Sequence, residues 1–167
     1  MRILGIDPGT LAMGFGVLDA NEVGDQPRMV QCGVLTASAS APLSQRLHEL
    51  YLGLADVLVR FRPDEVAIEE PFVARNVRSA LAIGRAQAIA MLSAASHGLP
   101  VATYPPAKVK HGVADYGRGD KEQVQRMVCL QLGLAAKPGP SDATDALAVA
   151  LCHLRQRQLS RLLARSE

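Results

Sequence analysis

Between Arg2 and Thr36 the chain carries three β-type runs, Arg2 to Asp7, Met13 to Asp19 and Met29 to Thr36, parted only by Pro8-Gly9-Thr10 and a polar loop around Gly24-Asp25. Connections this short cannot hold the crossover that parallel neighbours need, so an antiparallel meander is expected. The period then changes. Leu43, Leu47, Leu50, Leu54, Leu58 and Phe61 recur at threes and fours, which predicts an amphipathic helix closed by Pro63. Val66-Ala67-Ile68 reads as a short buried strand ending at Glu69, Ala74 to His97 as a long Ala-rich helix stopped at Gly98, and Val101 to Tyr104 as a fifth strand. Two further helices are predicted at Lys121 to Leu132 and Asp142 to Ala164, with Asp120 and Ser141 as N-cap candidates. A meander followed by two right-handed crossovers gives an α/β fold, a mixed five-stranded sheet flanked by α-helices.

At 167 residues, 49% of them apolar, the chain is expected to form a single domain over 1–167. No stretch reaches the roughly 18 apolar residues of a membrane span, and an acid follows the first apolar run, so no targeting segment and no membrane association are expected. Three cysteines, Cys32, Cys129 and Cys152, form no C-x-x-C pair. They suit a reducing cytoplasm and read as core residues rather than as a disulfide framework or zinc site. The net charge of +2 is unevenly spread: residues 1 to 70 are acidic, whereas 71 to 137 hold nine Lys and Arg against Asp115, Asp120 and Glu122. A basic middle suits a polyanion such as nucleic acid.

Asp7 follows Ile-Gly-Ile and Glu69 follows Val-Ala-Ile, two apolar runs that would bury a carboxylate at a cost. Both stand at strand carboxyl ends, where open α/β sheets gather functional groups. Asp142 and Asp145 are three apart in the first turn of the last predicted helix, so they share one face. Any one of these acids alone reads as a turn former or helix cap. Four that converge repel one another unless a cation sits among them, and an all-oxygen set suits Mg²⁺ or Mn²⁺. Two such ions would support in-line hydrolysis of a phosphodiester. Glu70 adjoins Glu69, and strand register alone does not say which of the two faces the other acids.

The pieces Ile3-Leu4-Gly5-Ile6-Asp7-Pro8-Gly9, Ala67-Ile68-Glu69, Val109-Lys110, Lys121 ahead of Val124-Gln125, and Asp142-Ala143-Thr144-Asp145-Ala146-Leu147-Ala148 resemble the RuvC Holliday-junction resolvases, in that order and over nearly the whole chain. The resemblance implies a ribonuclease H-like fold, a homodimer, Mg²⁺ dependence, and paired symmetric nicks in four-way DNA junctions during recombination and repair. It also implies partnership with the RuvA and RuvB branch-migration proteins. By position, Asp7, Glu69, Asp142 and Asp145 match the family's metal-binding acids, and Lys110 and Lys121 match its basic residues near the cleaved strand.

Other DNA-contact candidates are Phe72, Arg75, Asn76, Lys108 and Arg118. Phe72 either wedges into bases opened at a junction or staples the start of the next helix. Lys108, Lys110, Arg118 and Lys121 around a Gly-rich stretch read as a phosphate-tracking loop or as a solvated surface. The stripe Ala80, Ala82, Gly84, Ala86 and Ala88 allows close packing, in the core or across a two-fold axis. His48, His97, His111 and His153 have no partner at ligand spacing and are expected to be non-catalytic. Two rival functions remain. Asp7-Pro8-Gly9-Thr10 with Gly14 and Gly16 also resembles the phosphate loop of actin-like ATPases and sugar kinases, which need a second domain this length does not supply. A non-catalytic junction-binding protein would use the basic middle and leave the four acids without a role.

Overall fold

The computed structural model describes residues 1–20, 26–71, 77–114 and 121–164. The first three strands, β1 (Arg2–Asp7), β2 (Ala12–Asp19) and β3 (Arg28–Thr36), form the expected antiparallel meander, with Ile6 opposite Phe15 and Met13 opposite Leu35. Helix α1 (Leu43–Phe61) ends where Arg62 enters the left-handed region at φ 47° and its N–H bonds the Leu58 carbonyl. Pro63 then prevents any continuation. The chain returns as β4 (Glu65–Glu69), parallel to β1, crosses again through α2 (Val77–Ser96), and enters β5 (Val101–Tyr104), parallel to β4. The sheet order is β3-β2-β1-β4-β5.

Side chains along β1 alternate between two cores. Leu4 and Ile6 join Leu50, Leu54, Ile68, Ala86 and Ala90 beneath α1 and α2. Ile3 joins the opposite core, formed with the three C-terminal helices α3 (Pro106–Val113), α4 (Lys121–Gln131) and α5 (Ser141–Ala164). From Ala143 to Leu154 nearly every α5 residue is buried, as in a helix enclosed on all sides. It lies on β1 and β2 and is covered by α3 and α4.

Three details depart from expectation. α3 was not anticipated: Pro106 occupies its first turn, where a missing N–H costs nothing, and Val109 and Val113 bury its one apolar stripe. Ser141 is the first residue of α5 rather than its cap, and its hydroxyl accepts a hydrogen bond from Gln125 Nε2 at 3.0 Å. Of the cysteines only Cys152 is fully buried, while Cys32 and Cys129 are half-buried. In the Ala-rich stripe, Ala80 and Ala86 are buried and Ala88 is exposed. Gly24, Asp25, Ala74 and Asp120 lie outside the described residues. Among the described residues no helix is long and apolar enough to cross a membrane.

Candidate active site

β1 and β4 run side by side with Ile6 level with Ile68, so the next residues, Asp7 and Glu69, end at the same height. Period-2 alternation decides their direction. Ile3 and Gly5 face α5, and Asp7 follows them. In β4, Val66 and Ile68 face α1 and α2 while Ala67 joins the α5 core, so Glu65 and Glu69 share the α5 side. Glu70 turns away: its carboxylate accepts a hydrogen bond from Thr103 Oγ1 at 2.7 Å, and its N–H donates to the Tyr104 carbonyl at 2.8 Å. The adjacent acids therefore separate, Glu69 toward the other carboxylates and Glu70 toward β5.

Helix α5 delivers the second pair of acids because glycines let it lie directly on strand backbone. A Cβ at Gly14 would stand 2.0 Å from the Asp142 carbonyl oxygen, and one at Gly5 would stand 2.1 Å from that of Ala146. Gly14 pairs directly with Asp7. Any side chain there would push the first turn of α5 off the end of β1. With glycine present, carboxylate oxygens of Asp7, Asp142 and Asp145 come within 4.8 Å of one another.

This crowding has an electrostatic signature. Burial first, then the charges of Glu69, Asp145 and Asp142, push the Asp7 carboxyl up to about 7, with Lys121 opposing them. Burial and Asp145 raise Glu69 to about 7 as well, against Lys110 and Lys121. Lys121 Nζ lies 2.7 Å from Asp145 Oδ2, and that hydrogen bond holds its ammonium above its ordinary value. Lys110, in the last turn of α3, and Lys121, at the start of α4, line a cleft of about 260 Å³ with Glu69, Asp145, Val109 and Val124. One cluster of oxygen donors with depressed acidity, partly neutralised by Lys121 and Lys110, fits a hard divalent cation.

The structure thus brings together six of the residues singled out from sequence: Asp7, Glu69, Asp142, Asp145, Lys110 and Lys121. Lys108 is exposed on α3, with Nζ 5.4 Å from the centre of the Tyr104 ring. Phe72, Arg75, Asn76 and Arg118 lie outside the described residues. Two features escaped the sequence. The glycines that seat α5 gave no signal of their own, since Gly14 and Gly16 also suit a phosphate loop. His153 is buried and bonded at both ring nitrogens, to Tyr104 Oη at 2.7 Å and Glu65 Oε2 at 2.6 Å. Its partners are 49 and 88 residues away in the chain, beyond any local motif.

Comparison with known proteins points the same way. The family model for crossover junction endodeoxyribonuclease RuvC matches residues 3–153. A relative from Dehalococcoides mccartyi named crossover junction endodeoxyribonuclease RuvC is 50% identical over 167 residues, spanning 100% of this chain and 99% of its own length. The solved T. thermophilus RuvC in complex with a Holliday junction substrate superposes with a TM-score of 0.89 at 36% identity, covering 96% of each chain. The yeast mitochondrial Holliday junction resolvase shares the fold, with a TM-score of 0.64 at 15% identity over 95% of this chain and 82% of that one. The architecture is the ribonuclease H-like α/β fold.

Proposed function

The chain belongs to the RuvC family of crossover junction endodeoxyribonucleases and is a Holliday junction resolvase; we propose that it cuts with Asp7, Glu69, Asp142 and Asp145 holding two Mg²⁺ ions, which Mn²⁺ can replace. The observation that carries this reading is the convergence of Asp7, Asp142 and Asp145 oxygens within 4.8 Å of one another, with Glu69 raised by burial and by Asp145. When bound, the ions supply Lewis acidity to the scissile phosphodiester and to the attacking water. The chain's own part is to hold the donors rigidly, two at strand ends and two on the first turns of α5, so that little reorganisation remains at the moment of reaction. Val109 and Val124 form the apolar wall of the cleft, and Lys110 and Lys121 face it with positive charge that complements a non-bridging phosphate oxygen. Asp145 orients Lys121 through their ion pair.

The active unit in this reading is one ribonuclease H-like nuclease domain over 1–167, acting as a cytoplasmic homodimer so that two sites make paired symmetric nicks across a four-way junction. Phe72, Arg75, Asn76, Lys108 and Arg118 extend the DNA contacts, and RuvA and RuvB are its partners in branch migration.

The test gives purified protein a synthetic four-way junction, a linear duplex of the same sequence and ATP, each with Mg²⁺, Mn²⁺ or chelator. Metal-dependent, symmetric nicking of the junction alone is expected. ATP turnover without cleavage would favour the sugar-kinase-like rival, and tight junction binding without cleavage would favour a non-catalytic binder.

A further inference from the structure

The four carboxylates need a distance held between two elements that repel each other. Glu69 on β4 and Asp145 on α5 carry like charge, offset there by lysines from other elements, Lys121 beside both and Lys110 beside Glu69. At the other end helix and strand are joined directly. Glu65, on the same face of β4, accepts a hydrogen bond from His153 Nε2 at 2.6 Å and an ion pair from Arg157 at 3.0 Å. A carboxylate only accepts, so Nε2 carries a proton, and Nδ1 shares a hydrogen bond with the Tyr104 hydroxyl at 2.7 Å.

The spacings match. From Asp145 to His153 is eight residues of helix, about 12 Å at 1.5 Å each. From Glu65 to Glu69 is four residues of strand, about 13 Å at 3.3 Å each. Helix and strand run in opposite directions here, so both ends of this ruler coincide, and on the α5-facing side of the strand Ala67 alone stands between the two acids. A slide of α5 by one residue would move Asp145 by about 1.5 Å, far outside the tolerance of a metal site. Buried Leu147 and Leu151 and the close seating on Gly5 and Gly14 hold α5 against β1 and β2, and the Glu65–His153 hydrogen bond is a direct polar tie to β4. The hydrogen bond at His153 has a single satisfied position, and its side chain is only 5% exposed.

We propose that the Glu65–His153 hydrogen bond is a remote pin that sets the axial position of α5 against β4, making both groups positioning residues for the acid cluster. The inference rests on the metal-binding reading of that cluster. It gives a role to a histidine far from the cleft and to an acid at the opposite end of β4 from Glu69.

Two isosteric replacements separate pinning from mere stability. In His153→Gln the amide nitrogen takes the place of Nε2 and still reaches Glu65. In His153→Asn it takes the place of Nδ1 and reaches only Tyr104. Both bury an amide and lose one of the ring's two hydrogen bonds, so both should lower the melting temperature. Mn²⁺ binding to the full chain, followed by electron paramagnetic resonance of the free ion, is the readout. The Gln variant should stay close to wild-type affinity, whereas the Asn variant should weaken it about tenfold or more. Equal affinities for the two variants, or a weaker Gln variant, would overturn the pin. Should the Asn variant not fold, Glu65→Ala removes the same bond from the strand side, and unchanged Mn²⁺ affinity there overturns it equally. Asp7→Asn in the same titration is the control: if it leaves Mn²⁺ binding intact, the metal reading falls and the pin with it. If Asp7→Asn weakens binding and His153→Asn does not, the pin alone falls.

Discussion

The two ends of β1 handle charge in opposite ways. At its start, Arg2 grips Asp19 in a bidentate pair, Nε donating to Oδ1 at 2.7 Å and Nη2 to Oδ2 at 2.8 Å, while Nη1 donates to the Phe61 carbonyl. Every charge there has a partner, and the hydrogen bond from Arg2 holds Asp19 below its ordinary value. At its end, Asp7 meets Glu69, Asp145 and Asp142, with Lys121 the nearest relief, and is held up to about 7. One end of the strand is arranged for the chain by itself. The other is arranged for something the chain must bind, and its strain is the mark of function.

The sharpest way to break this comparison is Asp7→Asn. It removes one donor while leaving the lysines and the basic surface in place, so junction binding in a mobility-shift assay should persist. Cleavage should fall about a thousandfold or more, the loss of roughly 4 kcal/mol of transition-state stabilisation. An active Asp7→Asn enzyme would mean that the crowded end is not the reacting end.

Next in size is Gly14→Val. Its Cβ would collide with backbone, the Asp142 carbonyl at 2.0 Å, rather than with a side chain that can swing away. Helix α5 must lift from β2, costing about 3 kcal/mol in urea unfolding and separating Asp142 from Asp7, so cleavage should be lost too. The corresponding change at Gly84, where a Cβ meets nothing within 4 Å, should cost little and leave cleavage intact.

Gly14 also shows where legibility in the sequence stopped. The five strands and both strand-end acids were readable because alternation, Pro63 and Gly98 act locally. Asp142 and Asp145 were readable because helical spacing is local as well. Glu69 versus Glu70 needed to know which β4 face α5 covers, and that is a tertiary fact. Helix α3 was lost because its apolar stripe is only Val109 and Val113, within a stretch whose lysines suggest a loop. The contact made by Gly14 and the double hydrogen bonding of His153 depend on elements joined only by folding, so no window of sequence contains them.

The third prediction concerns pH without metal. A carboxyl raised in the folded state contributes stability that is fully present below its unfolded value near 4 and is lost as pH rises through about 7. In chelator, wild type and Asp7→Asn should therefore have similar stability at pH 4. By pH 8 the Asn variant should be the more stable by on the order of 2 kcal/mol, and Mg²⁺ should rescue only the wild type. A constant gap across that range would remove the claim that Asp7 is strained.

The smallest effect belongs to the satisfied end, and its sign is opposite. Arg2→Met deletes a pair that is only partly shielded from water, leaving Asp19 with Arg28 at 4.0 Å, so it should cost about 1 kcal/mol at pH 8. Cleavage should not change, because Arg2 stands a full strand length from the acids. Asp19 is lowered in the folded state, so its contribution is present above the unfolded value near 4 and fades as pH falls below it. The Arg2→Met penalty should shrink toward pH 3, where the Asp7→Asn gain also vanishes. Two substitutions on one strand would thus shift chemical stability in opposite directions at pH 8 and converge in acid. If Arg2→Met instead stabilised the metal-free protein at pH 8, the two ends would be alike in strain, and charge crowding would no longer single out the end proposed to bind metal.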